Sequence, residues 1–161
     1  MSVSEIDLGL PMEKQHEEEY DATKDLYLSF KVDEEEYAIG VIQVKELVPI
    51  CAITVVPDTP DFLKGIVNLR GDIVPVINVR TRFRKEEIPY DENTCIIVIY
   101  HEDYIMGLIV DQVVGVYTIM PEDIAPPPHA KLSYSNMFVR NIGKANDGLK
   151  LLLDLDKLLT Q

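Results

Sequence analysis

The stretch from Phe62 to Phe83, FLKGIVNLRGDIVPVINVRTRF, restricts the fold more than any other part of the chain. Two apolar runs, Ile66 to Leu69 and Ile73 to Val79, flank Arg70-Gly71-Asp72. Val and Ile dominate both runs, which suits a pleated, packed surface. Gly71 predicts a tight reversal, because a positive φ costs glycine little. Arg-Gly is not the favoured Asn-Gly hairpin dipeptide, so the turn type stays open. Pro75 donates nothing to a ladder and predicts an edge or a bulge. Asn68 and Asn78 lie inside the apolar runs; buried there, each amide needs a partner and would fix one register.

Short strands and frequent turns fill the rest of the chain. Leu26 to Val32 and Tyr37 to Val41 read as a hairpin around a charged turn. Ile42 to Val48 fits either a strand or a helical turn, and Pro49 ends it. Ala52 to Val56 is a short β-branched strand before the loop Pro57 to Pro60. One helical turn is expected from Asn78 to Arg84, then a polar linker from Glu86 to Asn93. Thr94 to Tyr100 and Tyr104 to Val110 form a second hairpin around His101-Glu102-Asp103. Val113 to Ile119 is a strand with room for a bulge at Gly115. Pro126-Pro127-Pro128 is a stiff connector. Phe138 to Ile142 and Leu149 to Leu153 are the last strands, and Asp154 or Asp156 caps a short helix through Leu159. Met1 to Lys24 is an acidic tail, expected to stay flexible because it can bury little; it has room for a short helix around Met12 to Tyr20 and reads as a natural start. Leu26 to Val48 and Thr94 to Val116 run alike, each with an acidic turn and Tyr-x-x-Gly, which favours two similar β units and a barrel or sandwich.

Chemistry narrows the function further. The 161 residues carry a formal charge of −13, which repels nucleic acid and anionic lipid. Within that acidic chain Arg70, Arg80, Arg82, Arg84 and Lys85 cluster, either as a solvated face or as a contact for an acidic protein partner. No apolar run approaches the roughly 20 residues that span a bilayer, and no secretory signal is recognisable. Cys51 and Cys95 read as buried thiols rather than a disulfide or metal site. His16, His101 and His129 lack metal-ligand spacing; His101 beside Glu102 and Asp103 has the donor types for a metal, but a solvated hairpin tip is the favoured reading. No nucleophile elbow or phosphate loop occurs. Asp111, after an apolar strand, reads as a turn cap. No catalytic, cofactor or metal site is expected.

The central stretch also carries a resemblance. Phe-x-x-Gly-x-x-Asn-Leu-Arg-Gly, then Val-Pro-Val-Ile-Asn-Val-Arg, resembles the signature of the CheW family, the chemotaxis coupling proteins. EYAIGVIQVKELV, GLIVDQVVGV and LLLDLDKLL extend it over nearly everything from Asp25 to the C-terminus. The same domain ends the CheA histidine kinase and begins CheV. The resemblance implies a mainly β fold of two packed SH3-like five-stranded β-barrels with short helical turns and a short C-terminal helix. It divides residues 25–161 at about 25–85 and 94–145, with C-terminal strands that need not belong wholly to the second barrel, and it implies an apolar groove between the two. It also implies a non-enzymatic cytoplasmic adaptor, monomeric in solution, that joins chemoreceptor helical tips to the regulatory domain of CheA and reaches receptor arrays only through partners.

By the same resemblance Val41, Val44, Glu46, Gly65, Asn68 and Arg70 match the receptor-binding positions, and Ile53, Thr54 and Val55 the kinase-binding ones. The residues alone allow plainer roles: Val41 and Val44 as core, Glu46 and Arg70 as a structural pair. Pro49 and Pro57 on either side of Ile53 to Val55 depart from the family pattern. The alternatives are a CheW-like regulatory domain of a larger CheA or CheV protein and, more remotely, a small-molecule-binding or hydrolytic β-barrel.

Overall fold

The computed structural model describes residues 23–128 and 134–160; most of the acidic tail, with the helix expected at Met12 to Tyr20, lies outside them. β1 (Leu26–Val32) and β2 (Glu35–Gly40) form the first hairpin, and a 3-10 turn at Val41–Gln43 leads into β3 (Val44–Pro49). The segment that fitted either a strand or a helical turn is thus both in succession. β4 (Leu63–Leu69) and β5 (Asp72–Asn78) make the central hairpin, followed by a helical turn at Val79–Arg82. β6 (Cys95–His101), β7 (Tyr104–Val110) and β8 (Gln112–Thr118) come next, then the two-residue β9 (Ile124–Ala125). A 3-10 turn at Tyr134–Phe138, β10 (Val139–Ala145), β11 (Gly148–Leu153) and a helix at Leu155–Leu159 complete the chain.

The strands form two sheets of order β8-β1-β2-β11-β10-β9 and β3-β6-β7-β5-β4. Their registers superimpose: β1 on β6, β2 on β7, β8 on β3, β11 on β5 and β10 on β4. Even the bulges match, at Lys45 of β3 and Val114 of β8, beside the predicted Gly115. The repeat is therefore real in topology, although the two Tyr-x-x-Gly motifs are out of step: Gly107 pairs with Val76 as Ala38 pairs with Leu152.

Each half lends its third strand to the other. β3 follows β2 after three residues and β8 follows β7 after the single residue Asp111. To pair with β1, β3 would have to run parallel to β2 and start at its far end, about 20 Å away. Three residues reach only about 10 Å, so the chain crosses to the opposite sheet. Consequently the sheets do not separate at residues 85 and 94: β1 and β2 stand with β8 to β11, and β3 stands beside β6.

Burial follows the same plan. The largest apolar cluster lies between the sheets, with Phe30, Tyr37 and Ile39 from one meeting Ile77, Ile97, Ile99 and Leu108 from the other. All five strands of the smaller sheet contribute to a second cluster around Val67, Val74, Val76, Ile96, Val98 and Ile109, so that sheet curls over its own interior. The larger sheet encloses Ala38, Ile119, Ala145 and Leu152. Lys150 stands there where Val74 stands in the partner half. Its side chain is only 2% exposed and pairs with Glu36 and with Asp147, the latter at 2.9 Å. Ser29 donates to Glu36 at 2.6 Å, and the Tyr117 ring lies 4.2 Å from the ammonium.

Within the central hairpin Arg70 and Gly71 have φ of 54° and 92°, the pair of positive values that a type I′ turn requires. Pro75 lies in an inner strand, yet the β5–β7 ladder begins only at Val76, so the proline faces no partner there. Asn78 is buried and its side chain caps the helical turn by accepting from the Arg80 amide. Asn68 is exposed, contrary to a buried register role, and accepts from the Gly71 amide at 2.8 Å. The strand expected at Ala52 to Val56 reduces to one antiparallel bridge, Thr54 to Ile66, because Pro49 and Pro57 cannot extend a ladder.

Candidate functional site

The central hairpin positions the first surface. Arg70 at its tip donates to Glu46 on β3, and Lys45 lies 3.3 Å from the same carboxylate. Burial by itself would raise the Glu46 carboxyl, but the Arg70 and Lys45 hydrogen bonds and charges outweigh it and hold the carboxyl below its ordinary value. The pair links the two outer strands of the five-stranded sheet. It is also accessible: the Arg70 side chain is 66% exposed. Asn68 belongs to this unit through the turn it holds. Val41 and Val44 lie apart, on the crossover from one sheet to the other, half-buried against the cluster between the sheets. Between them Ile42 is exposed, a residue that the strand-or-helix ambiguity of this segment concealed.

Gly65 belongs elsewhere. A Cβ there would stand 2.2 Å from the Thr54 carbonyl oxygen, and its φ is +155°. The glycine admits the Thr54 backbone, whose amide donates to Ile66 O at 2.9 Å and whose carbonyl accepts from Ile66 N at 2.8 Å. Gly65 thus seats the second surface, Ile53 to Val55. There Ile53 packs inward, Thr54 is exposed and Val55 is 73% exposed. Ile73, also exposed, lies on β5 beside Asn68. Along β4, Ile66 and Arg70 are about 13 Å apart, so the two surfaces share one half but not one footprint.

The basic cluster divides into separate roles. Arg80, 10% exposed, binds Asp111 in a forked contact at 2.8–3.2 Å, pairs with Asp33 and donates to Glu86 O. The Asp33 amide in turn donates to Asp111 at 2.7 Å, so Asp111 is the centre of a clamp between the halves rather than a free turn cap. Arg82 lies between the rings of Phe62 and Phe138, at 4.3 and 4.7 Å, and donates to carbonyls of Lys157, Leu158 and Thr160. Arg84 stacks on Tyr134 at 4.0 Å, and Lys85 pairs with Asp33 at 3.3 Å. Within this cluster only Arg70 presents its guanidinium mainly to solvent beside a shared carboxylate.

Two other sequence expectations change. Cys51 is exposed, in the irregular segment after β3, while the half-buried Cys95 thiol lies 3.4 Å from Val48 O and is pushed up by burial. His101 is no solvated tip: its side chain is 12% exposed, with Nε2 3.6 Å from Asp156 of the terminal helix.

A CheW-like domain family model matches residues 26–161. The chain belongs to the CheW-like domain family. It is 35% identical over 134 residues to a chemotaxis protein CheW of Klebsiella aerogenes, covering 83% of this chain and 81% of the relative. A chemotaxis protein CheW of Helicobacter pylori is 34% identical over 133 residues, with 83% and 80% covered. The crystal structure of scaffolding protein TtCheW from Thermoanaerobacter tengcongensis aligns with a TM-score of 0.78 at 33% identity, covering 86% of this chain and 94% of that one. Membership explains why the match includes the whole two-sheet body, because the exchanged strands make neither half complete without the other. Within this CheW-like domain no helix among the described residues is long and apolar enough to cross a membrane.

Proposed function

We propose that this chain is a non-enzymatic chemotaxis adaptor that couples chemoreceptor cytoplasmic tips to the histidine kinase CheA. Membership in the CheW-like family supports the coupling role. The observation that carries the placement is the exposed Arg70–Glu46 pair, held on a turn where arginine adopts positive φ. That conformation costs a non-glycine residue about 1–2 kcal/mol. Asparagine or glycine would adopt it at less cost, so the guanidinium is kept there for what it contacts.

In this reading the receptor's helical hairpin meets Arg70 and Glu46 and lays apolar side chains against Val41, Ile42 and Val44, the helix-in-groove mode. The CheA regulatory domain meets Thr54 and Val55, with Ile53 and Gly65 supporting them from beneath. Asn68 acts on the receptor only through the turn. The protein is cytoplasmic and reaches membrane-associated arrays through these partners. It turns over no substrate and requires no cofactor. Separate pull-downs with a receptor tip and with the CheA regulatory domain test the proposal. Capture by both supports it; capture by neither, from folded protein, contradicts it.

A further inference from the structure

The pseudo-symmetry of the two halves exposes a chemical difference at their two junctions. Asn78 caps the helical turn after β5, and Asp154 caps the terminal helix after β11. Two residues beyond each cap stand Arg80 and Asp156. Likewise Asp33 and Glu102 open the β1–β2 and β6–β7 turns, with φ of 58° and 55°. At the first junction the position beyond the cap is a cation, and it binds two carboxylates, Asp33 and Asp111. At the second junction it is itself a carboxylate, Asp156. Asp156 converges with Glu102, and among the described residues no Lys or Arg lies within ion-pair distance of either.

Between these carboxylates stands His101. Its imidazole is largely covered, and Nε2 lies 3.6 Å from Asp156 Oδ1. One donor atom from each of His101, Glu102 and Asp156 lies within 4.8 Å of the others. Bond lengths of about 2.0–2.2 Å place neighbouring ligands of a tetrahedral zinc ion about 3.4 Å apart. The imidazole–carboxylate spacing is nearly there already, and Glu102, on an exposed turn, has the freedom to close the rest.

We infer that His101, Glu102 and Asp156 form a binding site for a borderline divalent metal ion such as zinc or cobalt(II). The ion occupies the junction that the Arg80 guanidinium occupies in the other half. One imidazole and two carboxylates suit such ions, with water completing the coordination. The chain's charge of −13 favours cation capture. Bound metal ties the terminal helix to the β6–β7 turn, as Arg80 ties the helical turn at Val79–Arg82 to the β1–β2 turn. The bound ion stabilises the junction.

Calorimetric titration of zinc alone into the full chain tests this, with cobalt(II) absorption as the second probe. One equivalent should bind, the thermal midpoint should rise, and His101→Ala and Asp156→Asn should each weaken binding more than about tenfold. Glu102→Gln, at an exposed turn position, should weaken it too, and serves if either other variant fails to fold. His16→Ala should leave it unchanged. Absence of saturable binding, or affinity indifferent to all the junction variants, would overturn the site; the second result would place the ion on other ligands.

Discussion

A Cβ on Gly65 would meet the Thr54 carbonyl at 2.2 Å, in a backbone conformation that side chains rarely adopt. Gly65→Ala should therefore cost about 2–4 kcal/mol in chemical denaturation. Because the clash displaces the segment that carries Val55, it should weaken CheA binding more than receptor binding. Equal losses would show that the glycine serves the whole fold and not that segment. Arg70 poses the opposite case. Its exposed ion pair is screened by solvent and contributes little to stability, and asparagine fits its φ better. Arg70→Asn should leave stability within about 1 kcal/mol of the parent, measured by urea titration. A larger loss would return Arg70 to a structural role.

At the scale of elements, the Arg80 clamp joins the β1–β2 turn, the helical turn and the crossover at Asp111. Arg80→Leu leaves two carboxylates facing each other and should cost about 3–5 kcal/mol. Acid should act on several such contacts. For Asp33 and Glu36, burial raises the carboxyls, but Lys85 and Arg80 for the first, and Lys150 and Ser29 for the second, bring them below their ordinary values. Hydrogen bonds from Lys150 and Tyr117 lower Asp147. A depressed folded pKa stabilises above the unfolded value, near pH 4, and that contribution is lost as pH falls through the folded value. Thermal stability should thus be flat from about pH 5 to about pH 8 and fall below about pH 4. A midpoint that rises on acidification would contradict these pairings.

The elements also show what was legible in the sequence. β1, β5 through β7 and the Asp154 cap could be read, because apolar patterning and an aspartate before a short helix are local signals, whereas the capping role of Asn78 was not, its amide being legible only as one that needs a partner. The strand exchange was not, since it depends on link lengths that matter only once β2 and β6 have positions. Asn68 misled for a related reason: composition marks it as sitting in an apolar run, while burial depends on which face the hairpin turns outward. The Arg70–Glu46 pair was anticipated as one of two readings, whereas the seat that Gly65 provides for Thr54 needs a contact between positions eleven apart in the chain.

On the scale of the whole molecule, two interlocked halves make a body on which separate surfaces keep fixed positions. The larger cluster spans both sheets, and Arg80 and Arg82 cross the junction. An adaptor requires this rigidity, because occupancy of one surface must not dissolve the other. The most direct measurement is binding of the Arg70→Ala protein to a receptor tip and, separately, to the CheA regulatory domain, with folding checked by circular dichroism. Loss of a guanidinium from a desolvated contact costs about 2–5 kcal/mol, roughly thirtyfold or more in affinity. The account predicts that loss for the receptor, with kinase affinity and thermal midpoint nearly unchanged. Parental receptor affinity in a fully folded Arg70→Ala protein, or parallel loss of both partners with a lowered midpoint, would contradict it.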